Sequence, residues 1–417
     1  MYAMGDPGLN ATVVDPASRD ALDETLAAAG SPHPSVAPQN LRSTRPSVLP
    51  RVEAQGDDIR LVHDAVARYR TIAHLGAGGM GEVEQADDVD IGRSVAIKRL
   101  LPEAANTSGI TRFVQEVRIV GNLEHPNVVP LHDVGLDAHG RYFFVMKYAN
   151  GETLERIIER LQAHEPEARA EYTFERRIEI FLGILRALEY AHAQGVIHRD
   201  VKPANVMVGR YGEVWLMDWG VARRVGQVEA KYTDEPSDPA PSAQIRTTRH
   251  GSIVGTPAYM APEQARGDLG AIDARSDLYA ACVLFHELVT LRHYLDEHGT
   301  SLPGLLTAVE TLEVGFLHLY RGVPDEPLPP VELIHFVRKG FAKKPEERWQ
   351  SAAEMVAGLH GVLEGKVKVQ CTATFTKRVL REAGRFTDRH PNLGFIALIA
   401  GAGALLSAAG VLLWHLV

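Results

Sequence analysis

The chain contains the run His198-Arg199-Asp200-Val201-Lys202-Pro203-Ala204-Asn205, and Asp218-Trp219-Gly220 follows it closely. Asp200 can accept a hydroxyl proton, while Asn205 and Asp218 offer oxygen ligands to Mg²⁺. The lysine in the same run adds a cation where phosphate charge must be neutralised. Phosphoryl transfer depends on such positioned charges more than on a covalent nucleophile. The two motifs therefore predict phosphoryl-transfer chemistry in this part of the chain.

A glycine-rich segment lies upstream, at Leu75-Gly76-Ala77-Gly78-Gly79-Met80-Gly81. Glycines let backbone N–H groups approach phosphate oxygens without an intervening Cβ. The alternative is a dinucleotide-binding turn, which needs a following helix and an acidic residue about 20 positions later. Here the next segment is strand-like, and Lys98 stands at that distance. The pattern favours a loop that covers nucleotide phosphates.

Lys98 ends the short β-branched run Ser94-Val95-Ala96-Ile97, which should point it from a strand towards the glycine-covered cleft. An ammonium group there needs a carboxylate to hold it in place. Glu116 is the candidate, because it lies on a helix that the apolar spacing predicts from about Thr111 to Leu123. Asn106 supplies the capping chemistry before that helix.

These motifs, together with Ala261-Pro262-Glu263, resemble the ordered signature set of protein kinases. The chain is similar to bacterial Hanks-type (eukaryotic-like) serine/threonine protein kinases from about Tyr69 to Glu364. The resemblance implies an α+β, bilobal protein-kinase fold with a small β-rich N-lobe (about 69–148) and a larger helical C-lobe (about 149–364). It also implies ATP and Mg²⁺ as cofactors, with Mn²⁺ as a substitute, and protein serine or threonine hydroxyls as acceptors.

The resemblance assigns roles to individual residues. Lys98 would pair with Glu116 and bind the nucleotide phosphates. Asp200 would accept the substrate proton, while Lys202 would steady the γ-phosphate and is typical of the serine/threonine branch. The implied metal ligands are Asn205 and Asp218.

Further roles concern the adenine pocket and the framework of the site. The implied adenine-pocket residues are Val83, Ala96 and Met207, with Met146 at the back. Asp277 would tie down the catalytic-loop backbone, and Glu263 would pair with Arg348.

The segment after Gly220 is predicted to carry regulation, because Arg199 beside the catalytic aspartate could receive a phosphate group from it. The acceptor candidates are Thr247, Thr248 and Ser252, with Thr248 preferred by its distance from Gly255-Thr256-Pro257.

Two positions depart from the family pattern. Trp219 replaces the usual phenylalanine as a bulkier apolar plug, and Cys282 stands where glycine is usual, which predicts a local shift of packing.

Bulk composition excludes some classes of protein. The formal net charge of −9 argues against a general affinity for nucleic acid, which would need a positive field. The two cysteines, Cys282 and Cys371, are far apart and show no metal-ligand spacing. We expect both to be buried or unreactive thiols, which fits a protein in a reducing compartment.

The first 68 residues are rich in Ala, Pro, Ser, Asp and Gly. Such a segment buries too little apolar surface to offset its chain entropy, so it is predicted to be a disordered N-terminal extension. Its last part, Asp57 to Arg68, could form a short helix.

The chain ends in Leu393 to Val417, which contains no Asp, Glu, Lys or Arg. At about 1.5 Å per residue it exceeds the ~30 Å hydrocarbon thickness, so it is predicted to be a transmembrane helix. The preceding linker, 365–392, is basic, which places the kinase domain in the cytoplasm and the span in the bacterial inner membrane. Small residues one turn apart, such as Gly403 and Ser407, would permit a homodimer for trans-autophosphorylation.

The sequence therefore predicts a membrane-anchored serine/threonine protein kinase that is activated by autophosphorylation of its activation loop. The alternative is a catalytically weak pseudokinase that acts as a membrane signalling scaffold. Pseudokinases commonly lose the strand lysine, the catalytic aspartate or the metal aspartate, and this chain keeps Lys98, Asp200 and Asp218.

Overall fold

A computed structural model describes residues 48–49, 51–55, 58–62, 67–224, 246–247, 253–254, 256–296, 301–320 and 328–364. All of them belong to one compact unit. The predicted linker 365–392, the predicted span Leu393–Val417 and residues 1–47 lie outside this described part. Within it, no helix combines the length and the apolar character that crossing a bilayer requires.

The predicted order, a small sheet followed by helices, is confirmed. The strands are β1 (Arg51–Gln55), β2 (Asp58–Val62), β3 (Tyr69–Ala77), β4 (Gly81–Asp88), β5 (Arg93–Leu100), β6 (Leu131–Leu136), β7 (Tyr142–Lys147), β8 (Gly151–Thr153), β9 (Val196–Ile197), β10 (Val206–Gly209), β11 (Val214–Leu216), β12 (Arg223–Arg224), β13 (Arg246–Thr247) and β14 (Ile253–Val254). The helices are α1 (Thr107–Gly121), α2 (Leu154–Gln162), α3 (Pro166–Glu171), α4 (Phe174–Ala193), α5 (Pro262–Ala265), α6 (Ala274–Thr290), α7 (Leu302–Thr311), α8 (Phe316–Leu319), α9 (Val331–Gly340) and α10 (Ala352–Leu363).

The N-lobe is an antiparallel sheet with the strand order β3-β4-β5-β7-β6. Val95 and Ile97 on the central strand β5 belong to an apolar cluster on one face of the sheet. Leu100 and Phe144 belong to a second cluster, where Phe113 of α1 packs against them. Because side chains alternate between the faces of a strand, Lys98 shares its face with Leu100 and lies on the side of the sheet that α1 covers.

Helix α1 begins earlier than its apolar spacing indicates. Asn106 caps it, because the Asn106 side chain accepts a hydrogen bond from Gly109 N at 2.9 Å. The helix starts at Thr107, four residues before the predicted start at Thr111. The apolar periodicity could not show this, because the first turn begins with polar residues. The helix ends at Gly121, close to the predicted stop.

The C-lobe is built around two long buried helices, α4 and α6. The rings of Phe181 on α4 and Phe285 on α6 stack with centroids 4.0 Å apart, and both side chains are fully buried. Strands β8, β10 and β11 form a small sheet beside these helices. The loop His198–Asn205, which we call the catalytic loop, runs between β9 and β10.

One prediction for the N-terminal extension is wrong. Strands β1 and β2 form an antiparallel hairpin in which Gln55 pairs with Asp58, so Asp58–Val62 is a strand and not part of a helix. The disorder predicted for residues 1–68 likewise fails over these two strands. The intervening Gly56-Asp57 is a dipeptide that suits a two-residue hairpin loop, and apolar and polar residues alternate on both sides of it.

Candidate active site

Lys98 joins the sheet, helix α1 and the segment after β11. Its Nζ lies 2.6 Å from Glu116 Oε1 and 3.4 Å from Asp218 Oδ1, so the predicted ion pair with Glu116 is present. Burial alone would lower the pKa of Lys98, but the carboxylates of Asp218 and Glu116 outweigh it and raise this pKa. Lys98 is therefore a fixed positive charge between the sheet, helix α1 and Asp218.

Glu116 is the buried partner, with 3% of its side chain exposed. Burial raises the pKa of its carboxyl group, and the attraction of Lys98 works against that rise. A Cβ placed on Gly220 would lie 3.3 Å from Glu116 Oε2 and equally close to Asp218 Oδ1. Glycine at this position therefore lets the chain pass between the two carboxylates.

Asp218 is partly open to solvent, with 51% of its side chain exposed. The Lys98 ammonium holds the pKa of Asp218 below its usual range, so the group is a carboxylate. Its backbone has a positive φ of 59°, a conformation that a non-glycine residue adopts only when its surroundings hold it there. The next residue, Trp219, is buried and donates from Nε1 to Leu216 O at 3.3 Å.

The catalytic loop brings three predicted residues together. Lys202 Nζ lies 2.7 Å from Asp200 Oδ2. Asn205 Nδ2 donates to the same oxygen at 3.0 Å and to Asp200 O at 2.8 Å. Because the nitrogen of the Asn205 amide is used within the loop, its oxygen is the atom left to face a ligand.

Asp277, at the start of α6, holds the backbone of the catalytic loop as predicted. It accepts hydrogen bonds from His198 N at 2.8 Å, from Arg199 N at 2.7 Å and from His192 Nε2 at 2.8 Å. Burial would raise the pKa of Asp277, but these donors outweigh it and keep this pKa below its usual range. A buried carboxylate thus fixes the two residues that precede Asp200.

The strand register places the other predicted nucleotide residues on one face of the sheet. Ala96 pairs with Met146 of β7, and Lys98 pairs with Val83 of β4. Directly opposed residues of antiparallel strands share a face, and so do residues two apart in one strand. Met207 lies on β10 of the C-lobe. The register therefore brings Val83, Ala96 and Met146 to the face of the sheet that carries Lys98, and the adenine pocket itself stays a prediction.

The glycine segment links β3 to β4. Gly78 N donates to Gly81 O at 2.8 Å, which closes a tight turn. A Cβ on Gly81 would lie 2.7 Å from Arg99 O, so a glycine is required there by close backbone approach. By contrast, a Cβ on Gly76 or Gly79 would meet no atom within 4 Å. These two positions leave open space above the turn, as a phosphate-covering loop would need. The remaining predicted members of the segment are Leu75, Ala77 and Met80.

Of the predicted phosphorylation candidates, only Thr247 lies among the described residues, where it pairs with Ile253. Thr248 and Ser252 lie outside them.

Sequence reasoning missed Gln264, whose side-chain amide donates to Arg199 O at 2.9 Å. No sequence pattern predicts this contact, because the partner is a backbone carbonyl 65 positions away.

The oxygen donors fit a magnesium nucleotide. Asp218 offers a carboxylate and Asn205 an amide oxygen, and Mg²⁺ binds such hard ligands together with substrate phosphates and water. Within the described part of the chain, no group of three or more His, Cys, Asp and Glu side chains could hold a metal by itself.

Comparison with known proteins agrees with this geometry. A family model described as "Protein kinase domain" matches residues 69–358. A probable serine/threonine-protein kinase of Streptomyces coelicolor is 33% identical over 337 residues, which cover 78% of this chain and 44% of that protein.

Two further relatives are similar. Serine/threonine-protein kinase PknB of Mycobacterium leprae is 34% identical over 312 residues, covering 72% of this chain and 43% of the relative. Serine/threonine-protein kinase PknD of Protochlamydia amoebophila is 31% identical over 320 residues, covering 74% and 31%. The chain therefore spans less than half the length of each of the three relatives.

Proposed function

The chain belongs to the protein kinase family, and from this membership we propose that it transfers the γ-phosphoryl group of ATP to serine or threonine hydroxyls of proteins. One observation carries the proposal. Lys98 contacts Asp218, and Asn205 contacts Asp200. The two pairs lie side by side, because Met217 N, next to Asp218, donates to Asn205 O at 2.8 Å.

Each of these residues has a chemical task in the proposed reaction. Asp200 orients the acceptor hydroxyl and takes its proton, while Lys202 stands beside it as a cation for the γ-phosphate. Lys98, held by Glu116, binds the nucleotide phosphates. Asn205 and Asp218 would hold Mg²⁺, which supplies charge neutralisation between the phosphates when bound. Catalysis then rests on positioning and electrostatics.

A pseudokinase scaffold gains no support from these contacts. Lys98 pairs with Glu116 at 2.6 Å, Asp218 lies 3.4 Å from Lys98 Nζ, and Asp200 lies 2.7 Å from Lys202 Nζ. A scaffold that had lost catalysis would have no need to keep all of these contacts.

Phosphate transfer from labelled ATP tests the proposal. In the presence of Mg²⁺ the purified chain should label itself or a general protein substrate on serine or threonine. Asp200→Asn should lower turnover by about 10²–10⁴, the usual scale for a positioned acid or base, while ATP still binds. Asp87→Asn, in a surface pair with Arg70, is the matched control and should keep full activity.

Two outcomes would contradict this assignment. An Asp200→Asn protein with normal turnover would remove Asp200 from its role. A wild-type protein that binds ATP but transfers no phosphate with Mg²⁺ or Mn²⁺ would favour the scaffold.

Membrane anchoring through Leu393–Val417 is a further part of the proposal, with the kinase domain on the cytoplasmic side of the bacterial inner membrane. It is supported by 25 successive residues without a charged Asp, Glu, Lys or Arg side chain and by the basic stretch before them. Deleting these residues should release the protein from washed membranes. A truncated protein that still sediments with membranes would refute the anchor.

We also propose activation by autophosphorylation at Thr247, Thr248 or Ser252, assisted by pairing of two copies. Arg199 supports this, because a guanidinium next to Asp200 can order a phosphorylated loop. Mass spectrometry of self-phosphorylated protein should find the phosphate in this segment, and Thr248→Ala should slow activation.

An initial rate of self-phosphorylation proportional to the square of protein concentration would indicate transfer between copies, whereas strict proportionality would argue against it.

A further inference from the structure

A glutamine in α5 connects the end of the segment after Gly220 with the catalytic loop. Gln264 Nε2 donates to Arg199 O at 2.9 Å, and Gln264 Oε1 accepts from Ala261 N at 3.0 Å. One partner is an acceptor and the other is a donor, so only this orientation of the amide satisfies both. The carbonyl of Arg199 belongs to the peptide group that leads into Asp200.

The backbone at Arg199 needs support. Its φ of 69° lies in the left-handed region, which costs a non-glycine residue free energy unless surrounding contacts compensate. Asp277 holds the N–H of Arg199 at 2.7 Å, and Gln264 holds its carbonyl. The two hydrogen bonds come from different helices. Asp277 of α6 binds the N–H of Arg199, and Gln264 of α5 binds its C=O.

Helix α5 is itself firmly held. Glu263 accepts two hydrogen bonds from Arg348, from Nη1 at 2.7 Å and from Nη2 at 2.8 Å, and a third from Ser276 Oγ at 2.6 Å. The side chains of Glu263 and Arg348 are essentially inaccessible to solvent. Gln264 therefore extends to the catalytic loop from a base that cannot easily move.

We propose that Gln264 is a positioning residue, whose amide holds the Arg199–Asp200 peptide group in the conformation that aims Asp200 at the acceptor hydroxyl. This inference rests on the proposed phosphoryl transfer and deepens it, because it couples the anchored end of the regulated segment to the proton acceptor. Gln264 touches neither substrate nor metal in this scheme, and it acts through the backbone.

Two substitutions separate this role from that of a helix cap. Gln264→Glu keeps an oxygen to accept from Ala261 N, but it removes the N–H donor and sets a carboxylate against Arg199 O. Gln264→Leu removes both bonds at a similar volume. For Gln264→Glu, the single-turnover rate at saturating ATP should fall about 10- to 100-fold, the scale of one lost and one repulsive polar contact. The KM for ATP should stay near that of the wild type, and the melting temperature should fall by only a few degrees, as the loss of one local contact implies.

Rates are compared between preparations of equal phosphate content, because a variant that activates itself poorly would otherwise mimic the effect. Gln162→Glu is the matched control, since Gln162 Nε2 also donates to a distant backbone carbonyl, Leu291 O, at 3.1 Å. This control should leave the transfer rate unchanged. Hydrogen–deuterium exchange gives an independent readout: the peptide spanning 198–205 should exchange faster in Gln264→Glu and not in Gln162→Glu.

Each result decides the proposal. A Gln264→Glu protein with the wild-type rate and wild-type exchange would overturn it. So would a loss of rate accompanied by a large fall in melting temperature and by faster exchange throughout the C-lobe, because Gln264 would then be structural only. If the wild type itself transfers no phosphate, the proposed function fails, while exchange in the catalytic loop still decides whether Gln264 holds it.

Discussion

Trp219 shows how a single side chain can add a polar restraint to an apolar position. Its sequence position predicts a bulky apolar plug, and only 2% of the residue is exposed. The indole also donates to Leu216 O and lies against His198, with ring centroids 4.4 Å apart. A phenylalanine could keep the burial but could not make the hydrogen bond. The bond closes the turn around Asp218, whose positive φ needs such support.

We therefore expect Trp219→Phe to loosen the backbone at Asp218, the proposed metal ligand. Losing a buried hydrogen bond and part of the ring volume should lower the free energy of unfolding by about 1–3 kcal/mol. The Mg²⁺ concentration for half-maximal activity should rise several-fold, because Asp218 would be held less firmly, while turnover at saturating Mg²⁺ changes less. Phosphate transfer across a Mg²⁺ titration measures the effect.

Trp349→Phe is the control for this prediction. Trp349 Nε1 also donates to a backbone carbonyl, Phe336 O, at 3.1 Å, but it lies far along the chain in the C-lobe. A similar loss of stability without a change in Mg²⁺ dependence is expected. If both variants shift the Mg²⁺ requirement equally, the effect comes from general destabilisation and not from the turn at Asp218.

At the scale of helices and strands, the sequence is most informative where its signals are local or carry a known signature. The pairing of Lys98 with Glu116 spans 18 positions, yet it could be predicted because both positions belong to an ordered motif set. The cap at Asn106 could be recognised from residue type. The β1–β2 hairpin was missed because its alternation extends over only five residues on each side, too few to distinguish it from a helix.

Contacts between distant backbone atoms could not be predicted. Gln264 reaches Arg199 O because helix α5 docks beside the catalytic loop, and that docking depends on the buried pair of Glu263 and Arg348. The pair itself was predicted from the motif. The direction in which the next side chain points was not, since it follows from how the short helix is oriented in three dimensions.

Cys282 illustrates packing between two helices. The sequence predicts a local shift where cysteine replaces glycine in α6, and the structure shows how the larger side chain fits. A Cβ on Gly340, the last residue of α9, would lie 2.1 Å from Cys282 Sγ. The facing helix thus lacks a side chain at the point where α6 carries an extra one.

Gly340→Ala should therefore be strongly unfavourable in the natural background. Overpacking of this kind costs typically about 1–3 kcal/mol of unfolding free energy. In a Cys282→Gly background the same change should cost clearly less, so a double-mutant cycle in urea should give a favourable coupling of about 1 kcal/mol or more.

Gly121→Ala serves as the control for this cycle, because a Cβ there would meet no atom within 4 Å. It should be close to neutral in both backgrounds. Additive costs for Gly340→Ala and Cys282→Gly would show that the helices separate to make room, contrary to the prediction.

On the scale of the whole described unit, the two lobes are joined in the middle of α1 and just beyond its C-terminal end. Beyond its C-terminal end, Asn127 Nδ2 donates to Val214 O and Leu216 N donates to Asn127 O, both at 2.8 Å. In its middle, Glu116 holds Lys98, which reaches Asp218. The segment after α1 is therefore fastened to β11, and α1 itself is linked through Lys98 to Asp218. Movement of this helix would disturb Lys98 and Asp218 together.

The C-lobe core also contains a buried titratable group that ties the stability of the unit to pH. His286 on α6 is 2% exposed, and its Nε2 donates to Leu319 O at 3.0 Å. Burial lowers the pKa of His286 to about 4, and the nearby positive charge of Arg292 adds to this effect. In the unfolded chain a histidine has a pKa of about 6.5. Between these values the unfolded state binds a proton that the folded state does not, so stability falls as pH falls.

Replacing His286 by glutamine should remove this contribution to acid unfolding. Above pH 6.5 both states of the wild type hold the histidine neutral, so the pH dependence of the two proteins should match. From about pH 6 to 4.5 the wild type should lose up to about 1.4 kcal/mol more per pH unit than His286→Gln. Urea unfolding at a series of pH values gives the slope of unfolding free energy against pH for each protein. The carboxylates contribute equally to both slopes, so their contribution cancels in the difference.

His139→Gln, at an exposed position, is the control and should retain the wild-type slope. Parallel curves for wild type and His286→Gln would mean that His286 is protonated alike in both states, because water reaches it in the folded core.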